Sequence, residues 1–347
     1  MSRKDIRLAL PSKGRLAQDA VAFLEAAGLK VYRPNPRQYE ATIPTLPELT
    51  VMFQRPGDIA VSVRQGSVDF GITGLDVFSE KAQAWVETPA SNGETGDQAV
   101  LILHDALDFS HCRLSLAVPE AWKAVQTITD LAEISRHKGV RIATKFPALT
   151  GRFLDEEGVR SYELVEVEGT LEIAPAIGYA DLIADLVSTG TTLRDNHLRE
   201  VEGGVILHSQ AILIANRHAL QERPEVLAIA RELIEYIEAH LRAEACHLVF
   251  ANMRGDSPEE IAARMFNRPA LSGLQGPTIS PVFPNNGHED EATGWYAVNI
   301  VVRKDRLAES IAALRAVGGS GVVVAPVTYI FEEEPARYRS MLAALED

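Results

Sequence analysis

The 347-residue sequence predicts an α/β protein of two similar lobes followed by a smaller C-terminal βαββαβ domain. Strand-like apolar runs alternate with amphipathic segments over the first two thirds of the chain. The joint Gly-x-x-Asp occurs twice, as Gly66-Ser-Val-Asp69 and Gly178-Tyr-Ala-Asp181, each time before a buried run that ends in a Thr-Gly loop. From Ala245 onward the periodicity changes to strand, helix, two strands, helix, strand. Two lobes that each point a Thr-Gly loop into a common cleft form the two-lobed arrangement of periplasmic-binding-protein-like (type II) folds. The C-terminal order is that of the ferredoxin-like split βαβ.

Ile6 to Leu10 reads as a strand, Pro11 to Arg15 as a loop, and Leu16 to Ala27 as an amphipathic helix closed by Gly28. Pro56-Gly57 turns the chain, Asp58 opens a helix that ends at Gly66, and Val68 to Ile72 is a strand delivering Thr73, Gly74 and Asp76 to a loop. Leu114 to Val118 and Val140 to Ala143 are strand-like, Asp130 to Arg136 helical, and Thr144-Lys145-Phe146-Pro147 a loop. Ala180 to Val187 suits a buried strand, Ser188 to Thr192 a turn, and a helix is expected to start near Thr192. Gly204 to Asn216 is strand material expected to return the chain to the first lobe. Pro224 opens a long connector helix whose apolar face is Val226, Ala230, Leu233, Ile237 and Leu241. In the last domain, His247 to Ala251, Thr278 to Val282, Trp295 to Val302 and Gly321 to Val327 read as strands, Ser257-Pro-Glu-Glu260 as a capping box, Asp305 to Ala316 as a helix, and Asn286-Gly287 as part of a long turn. The expected boundaries are residues 1–105 with 197–222 for lobe I, 106–196 for lobe II, and 223–347 for the connector and C-terminal domain.

Composition excludes several classes. A formal net charge of −14 without a basic run argues against nucleic-acid binding. No apolar run approaches the roughly 20 residues that cross a bilayer, and the N-terminal MSRKDIRLALPSKGR has no secretory pattern, so a cytoplasmic protein is expected. The two cysteines, Cys112 and Cys246, are far apart, and the nine histidines form no HExxH, which leaves neither a disulfide framework nor a zinc motif. GxxxxGK[ST] is absent as well.

The chemistry concentrates between Glu172 and Leu193. Small residues at Ser188, Thr189, Gly190, Thr191 and Thr192 let backbone N–H groups converge on an anion, with hydroxyls as further donors and a helix start behind them. Asp185, just upstream, is placed to accept hydrogen bonds from ribose hydroxyls. The same residues also suit an ordinary strand-turn-helix junction with threonine as N-cap. Ser12-Lys13-Gly14-Arg15 stands at a strand's carboxyl end, where open α/β sheets bind ligands, although a solvated basic turn reads the same way. Arg55, Arg64, Lys145 and Arg152 are the other candidate cations.

The spacing E-x5-G-x-A-x2-I-x-D-L-x2-T-G-x-T-L, met by Glu172, Gly178, Ala180, Ile183, Asp185, Leu186, Thr189, Gly190, Thr192 and Leu193, resembles the signature of the ATP phosphoribosyltransferase family. The resemblance continues in LALPSKGRL, RPGDI, GSVDFGITGLDV, RIATKFP, LSGLQGPTISPV, GWYAVNIVV and VGGSGVVVAPV, and the C-terminal part is similar to the regulatory domain of the long form. It implies ATP and 5-phosphoribosyl-1-pyrophosphate as substrates, Mg²⁺ as cofactor, attack of adenine N1 on ribose C1, and no acid/base dyad. It further implies feedback inhibition by L-histidine and a homo-oligomer, dimer or hexamer, without a separate regulatory subunit. By the same resemblance Asp185, Thr189, Gly190, Thr191 and Thr192 hold the phosphoribosyl group, with Glu168, Gly169 and Glu172 near the ribose or metal. Lys13, Gly14 and Arg15 meet pyrophosphate or triphosphate oxygens, and Arg55, Asp69, Thr73 and Gly74 line the facing lobe. Leu274, Gly276, Thr278, Val301 and Gly321 hold the inhibitor. Two departures from the family pattern are a longer insert at Pro284 to Thr293 and the lack of a carboxylate near Asn252 and Met253. The competing readings are a non-catalytic regulatory subunit, a small-molecule-binding protein of the same two-lobed fold, and a phosphoribosyltransferase with a different base acceptor.

Overall fold

The computed structural model describes residues 4–85, 99–167, 169–283 and 294–346. Glu168, Asn286-Gly287 and the Pro284 to Thr293 insert therefore lie outside the described residues. The chain divides into two compact units, residues 1–234 with 334–347, and residues 235–333.

The first unit holds two sheets. Lobe I contains β1 (Ile6–Pro11), α1 (Arg15–Ala26), β2 (Glu40–Ile43), β3 (Leu46–Gln54), α2 (Pro56–Arg64), β4 (Phe70–Gly74), α3 (Leu75–Trp85) and β5 (Val100–His104). Lobe II contains β6 (Cys112–Pro119), α4 (Ile128–His137), β7 (Val140–Thr144), α5 (Pro147–Glu156), β8 (Tyr162–Glu166), β9 (Leu182–Val187), α6 (Thr191–Asp195) and β10 (Leu198–Ser209). The chain then re-enters lobe I as β11 (Ala211–Asn216) and α7 (Arg217–Glu222). The sheet orders are β2-β3-β1-β4-β11-β5 and β10-β6-β9-β7-β8. Every residue of β4 and β11 is buried, as continuous apolar strands covered on both faces should be.

The return to lobe I comes later than the sequence suggests. β10 pairs antiparallel with β6 in the second sheet, and β11 pairs with β4 in the first, so the crossing falls at Gln210 rather than near residue 197. Two adjacent apolar runs with neither Gly nor Pro between them read as a single strand.

The repeated Gly-x-x-Asp joint does the same work in both lobes. Gly66 and Gly178 take φ of 69° and 79°, which an L side chain resists. Arg7 N donates to Asp69 Oδ2 at 2.8 Å, and Arg141 N donates to Asp181 Oδ2 at 2.8 Å. Asp69 N and Asp181 N return the bond to the carbonyls of Arg7 and Arg141. Each aspartate thus fixes the amino end of a central strand to its neighbour. Arg223 adds a guanidinium bond to Asp69, Nη1 to Oδ1 at 2.9 Å, where the carboxylate is only 1% exposed. Asp69 is therefore a structural group at the end of β4 opposite Thr73 and Gly74, which corrects its expected place beside substrate.

α8 (Pro224–Glu244) leads into β12 (Cys246–Gly255), α9 (Pro258–Phe266), β13 (Thr278–Pro281), β14 (Gly294–Arg303), α10 (Leu307–Ala316) and β15 (Ser320–Pro326). This is the expected βαββαβ order, with an antiparallel sheet β13-β14-β12-β15. Val249, Ala251, Met253, Val298 and Ile300 face the helical residues Ile261, Met265 and Leu314 in one core. On β12 and β15, Phe250 and Val323 are 38% and 58% exposed. Ser257 Oγ accepts from Glu260 N at 3.2 Å, but the Glu260 carboxylate accepts from Asp256 N, one residue earlier than a full capping box requires. A full box forms instead at Thr127 and Asp130, at the start of α4.

The last helix, α11 (Ala336–Glu346), groups with the first unit and not with the C-terminal domain, another departure from the expected boundary. Arg337 binds Asp105 at 2.6 Å, and Gln221 Nε2 donates to Leu345 O at 3.0 Å. Beside this contact His104 is buried, and burial, reinforced by the Arg337 charge, pushes its imidazole down to about 4. No helix among the described residues is long and apolar enough to cross a membrane.

Candidate active site

The carboxyl end of β9 carries the loop singled out by the sequence. Gly190 takes the left-handed conformation at φ 72°, and the hydroxyls of Thr189 and Thr191 lie 3.1 Å apart. Arg194 Nη2 donates to Thr191 Oγ1 at 3.1 Å and Nη1 to Thr189 O at 3.3 Å. Sequence reasoning missed Arg194, because one arginine on a short polar helix looks solvated; its signal is a cation four residues after the glycine. α6 spans five residues, so anion affinity here rests on the loop's N–H groups, its hydroxyls and Arg194 more than on a helix dipole. Thr192 is exposed, and its carbonyl accepts from Asn196 Nδ2 at 2.9 Å.

Asp185, within β9, accepts from Leu186 N at 2.8 Å. Burial raises its carboxyl above the ordinary range; the bond from Leu186 opposes this, the Glu172 charge adds to it, and Lys145 opposes it. Those couplings place Glu172 and Lys145 within electrostatic reach. Lys145 Nζ also donates to Gly169 O at 2.7 Å. Gly169, Glu172, Asp185 and Lys145 thus gather at one end of the lobe II sheet.

On lobe I, Lys13, Gly14 and Arg15 leave β1 exposed, with Gly14 at φ 80°. Arg15 Nε stands 3.4 Å from Asp19 Oδ2. Arg55 is exposed at the start of α2, and buried Thr73 donates its hydroxyl to Pro56 O at 3.3 Å. A Cβ on Gly74 would come within 2.3 Å of Asp76 Oδ1. Ser209 Oγ donates to that oxygen at 2.6 Å and accepts from Asp76 N at 2.9 Å.

Lys13, Gly14, Arg15, Gly74 and Asp76 from lobe I meet Leu186 and Ser188 from lobe II in a cavity of about 360 Å³, whose walls stop at Ser188 and do not include Asp185, Thr189 to Thr192, Arg194 or Lys145. Cys112 also lines it, but burial, with the Asp76 charge behind it, pushes the thiol up to about 11, which leaves no thiolate for chemistry at neutral pH. A larger concavity of about 620 Å³ follows edge strand β2, but its walls, including Tyr32, Tyr39 and Glu40, carry no cation. Of these two, the interlobe cavity is the one that carries cations. Arg64 stacks on Trp85 at 4.9 Å, and Arg152 pairs with Glu156 at 3.5 Å, so both of these candidate cations are engaged in the scaffold.

In the C-terminal unit, Leu274 and Val301 line a cavity of about 140 Å³ with Ser272, Arg303 and Arg306. Gly276 takes φ 105° nearby in sequence, and Thr278 pairs with Asn299 across β13 and β14. The Asn299 amide oxygen is buried without a hydrogen-bond partner. Gly321 lies on β15, at the other edge of the sheet, with β14 and β12 between it and Thr278. Within one chain this separates Gly321 from Thr278 by about three strand spacings of roughly 4.8 Å and from Val301 by about two.

A two-lobed α/β fold with lobe I cations and Ser188 of lobe II around one cleft, joined to a ferredoxin-like unit, defines the class: a protein built to hold a small anionic ligand between two lobes. Residues 55–259 match the family described as ATP phosphoribosyltransferase, and residues 243–329 match the HisG C-terminal domain. The chain belongs to the ATP phosphoribosyltransferase family, the phosphoribosyl-transferring enzymes of histidine biosynthesis. It is 45% identical to ATP phosphoribosyltransferase 2, chloroplastic, of Arabidopsis thaliana over 99% of this chain and 82% of that protein. It is 37% identical to the ATP phosphoribosyltransferase of Methanothermobacter thermautotrophicus over 94% of this chain and 99% of that one. Among solved structures, the ATP phosphoribosyl transferase (HisG:HisZ) complex from Thermotoga maritima aligns with a TM-score of 0.50 at 25% identity, covering 67% of this chain and 98% of that one.

Proposed function

We propose that the protein joins ATP to 5-phosphoribosyl-1-pyrophosphate, giving N1-(5-phosphoribosyl)-ATP and pyrophosphate. The observation that carries this reading is the interlobe cavity, with Lys13 and Arg15 on one wall and Ser188, the entry to the threonine loop, on the other. Thr189 to Thr192 with Arg194 receive the 5-phosphate, and Asp185 accepts from the ribose hydroxyls. Lys13 and Arg15 take up the charge of the leaving pyrophosphate or of the triphosphate. The adenine N1 lone pair forms the new bond to C1 as the C1–O bond breaks and its electron pair leaves with pyrophosphate. That displacement needs no side chain to remove a proton from the nucleophile, so the protein lowers the barrier by alignment and by placing charge where it develops.

Asp185 and Glu172 fit Mg²⁺, a hard cation that takes one or two carboxylates together with substrate phosphates. Among the described residues no three His, Cys, Asp or Glu side chains converge on a point, so those two carboxylates and the phosphates are the donors this reading assigns. When bound, the ion neutralises pyrophosphate oxygens. The expected result with purified protein, Mg²⁺ and both substrates is pyrophosphate release together with a modified adenine chromophore. Binding of both substrates without either product would instead favour a non-catalytic binding protein or regulatory subunit.

The reading extends to a homo-oligomer working in the cytoplasm and inhibited by L-histidine. The exposed apolar side chains Phe250 and Val323 support association. Thr278, with the unpartnered Asn299 oxygen opposite it and Leu274 and Val301 on a nearby cavity, supports inhibitor binding in the C-terminal unit. The Asn299 oxygen supplies an acceptor for an ammonium group where Asn252 and Met253 offer no carboxylate. Thr278→Val is expected to keep turnover while weakening histidine inhibition about tenfold, the effect of one lost polar contact. Dose-response curves at fixed substrate check this; competition between histidine and substrate with an unchanged curve for the variant would refute it.

A further inference from the structure

Helix α5 begins one residue after Phe146, whose side chain cannot cap it, and its first residue is Pro147. The next two N–H groups have no intrahelical acceptor. Both are taken by one carboxylate from the other lobe: Ala148 N donates to Glu80 Oε1 at 2.8 Å and Leu149 N to Glu80 Oε2 at 2.9 Å. Glu80 sits on α3 of lobe I. One turn further along, Gln83, with its amide oxygen turned toward Arg152, accepts from Nη1 at 2.6 Å, a second polar tie between the same two helices.

The capped segment is the one that presents Lys145. Phe146 N donates to Thr144 Oγ1 at 3.0 Å, and Phe146 and Leu149 pack with Leu114 in lobe II, so residues 144–149 form one anchored corner. Lys145 projects from that corner to Gly169 O at 2.7 Å, within electrostatic reach of Asp185. The covalent links between the lobes are the chain crossings near Ser110 and at Gln210, and Glu80 is a non-covalent tie well away from both in sequence.

We propose that Glu80 is a positioning residue for phosphoribosyl-pyrophosphate binding: by capping α5 from lobe I it fixes the corner that holds Lys145 beside Asp185 and Gly169. The inference rests on the function proposed above. Movement of one lobe against the other either carries α3 and α5 together or breaks two charge-assisted hydrogen bonds. Substrate affinity therefore depends on a carboxylate that touches no substrate.

The test compares the full-length wild type with Glu80→Gln and Glu80→Ala. Amide hydrogen exchange at Ala148 and Leu149 and steady-state kinetics with ATP and phosphoribosyl pyrophosphate are both measured. Exchange at the two amides is expected to quicken in both variants. KM for phosphoribosyl pyrophosphate should rise about tenfold in the alanine variant and about threefold in the glutamine variant, which keeps one acceptor oxygen, with kcat changing less than KM. Faster exchange with unchanged KM makes the cap purely structural and overturns the proposal, as does unchanged exchange. Should Glu80→Ala fail to fold, the glutamine variant decides by the same two readouts. A wild type without turnover refutes the underlying function and the proposal with it, whereas an active wild type with indifferent variants refutes the proposal alone.

Discussion

Asp185→Asn is expected to lose roughly 10- to 100-fold in kcat/KM, the equivalent of one or two charge-assisted hydrogen bonds to ribose hydroxyls, yet to melt no lower than the wild type. The two halves of this prediction have opposite causes. For catalysis the charged carboxylate is the better acceptor, and asparagine keeps its shape but not its charge. For stability the charge is a burden, because burial first and then Glu172 raise the Asp185 carboxyl above its unfolded value, against the bond from Leu186 and the Lys145 charge. A raised folded value means a contribution fully present below the unfolded pKa and lost as pH rises through the folded one. At neutral pH asparagine removes that cost while its side-chain oxygen can still accept from Leu186 N. The melting difference between variant and wild type should therefore narrow as the pH is lowered toward the carboxylate range. Full catalytic efficiency in the variant would remove Asp185 from the site, and a clear fall in melting temperature at pH 7 would show that its charge stabilises the fold.

The parts legible in the sequence are those written locally. Phe70–Gly74 and Ala211–Asn216 are continuous apolar runs and form fully buried strands. The Gly-x-x-Asp joints are short enough to be read, and both lobes use them identically. The small residues from Ser188 to Thr192 do form an open turn with exposed hydroxyls, because Gly190 accepts a positive φ that other residues resist. What failed was long-range. Asp69 sits in the same short string as Thr73 and Gly74, but a five-residue strand rising about 3.3 Å per residue puts its two ends roughly 15 Å apart, so only one end can face a ligand. Strand length alone contained that correction.

Other arrangements have no local signal at all. Gly321 is set apart from Thr278 by sheet order, and no periodicity encodes that β15 lies beside β12 while β13 lies beside β14. The grouping of α11 with the first unit depends on Arg337 finding Asp105, over 200 residues earlier in the chain. Glu80 caps a helix 68 and 69 residues away, and by sequence it is one more acid on an amphipathic helix. Arg194 bridges Thr189 and Thr191 through its guanidinium, a contact that a lone arginine on a short polar helix does not announce. Sequence pattern thus identifies strands, turns and the loop chemistry, whereas the pairing of charges across lobes needs three dimensions.

The largest stability effect is expected at Arg223. Its guanidinium, 15% exposed, pairs with an Asp69 carboxylate that is 1% exposed. Arg223→Ala takes away the guanidinium that faces this buried carboxylate, which keeps its bond from Arg7 N, a loss of about 3 to 5 kcal/mol. At roughly 2 to 4 °C per kcal/mol in a domain of this size, the melting temperature should fall by about 6 to 20 °C. Asp69→Asn removes the charge that needs a partner and keeps an acceptor for Arg7 N, so its loss should be smaller. In an Arg223→Ala background Asp69→Asn should restore part of the stability, because the buried charge that lost its guanidinium is then gone. Substrate KM should hold constant across all three variants at temperatures where they stay folded, since this ion pair lies at the end of β4 away from Gly74. An Asp69→Asn protein with wild-type melting but a KM for either substrate raised tenfold would return Asp69 to the cleft and overturn its assignment to the scaffold.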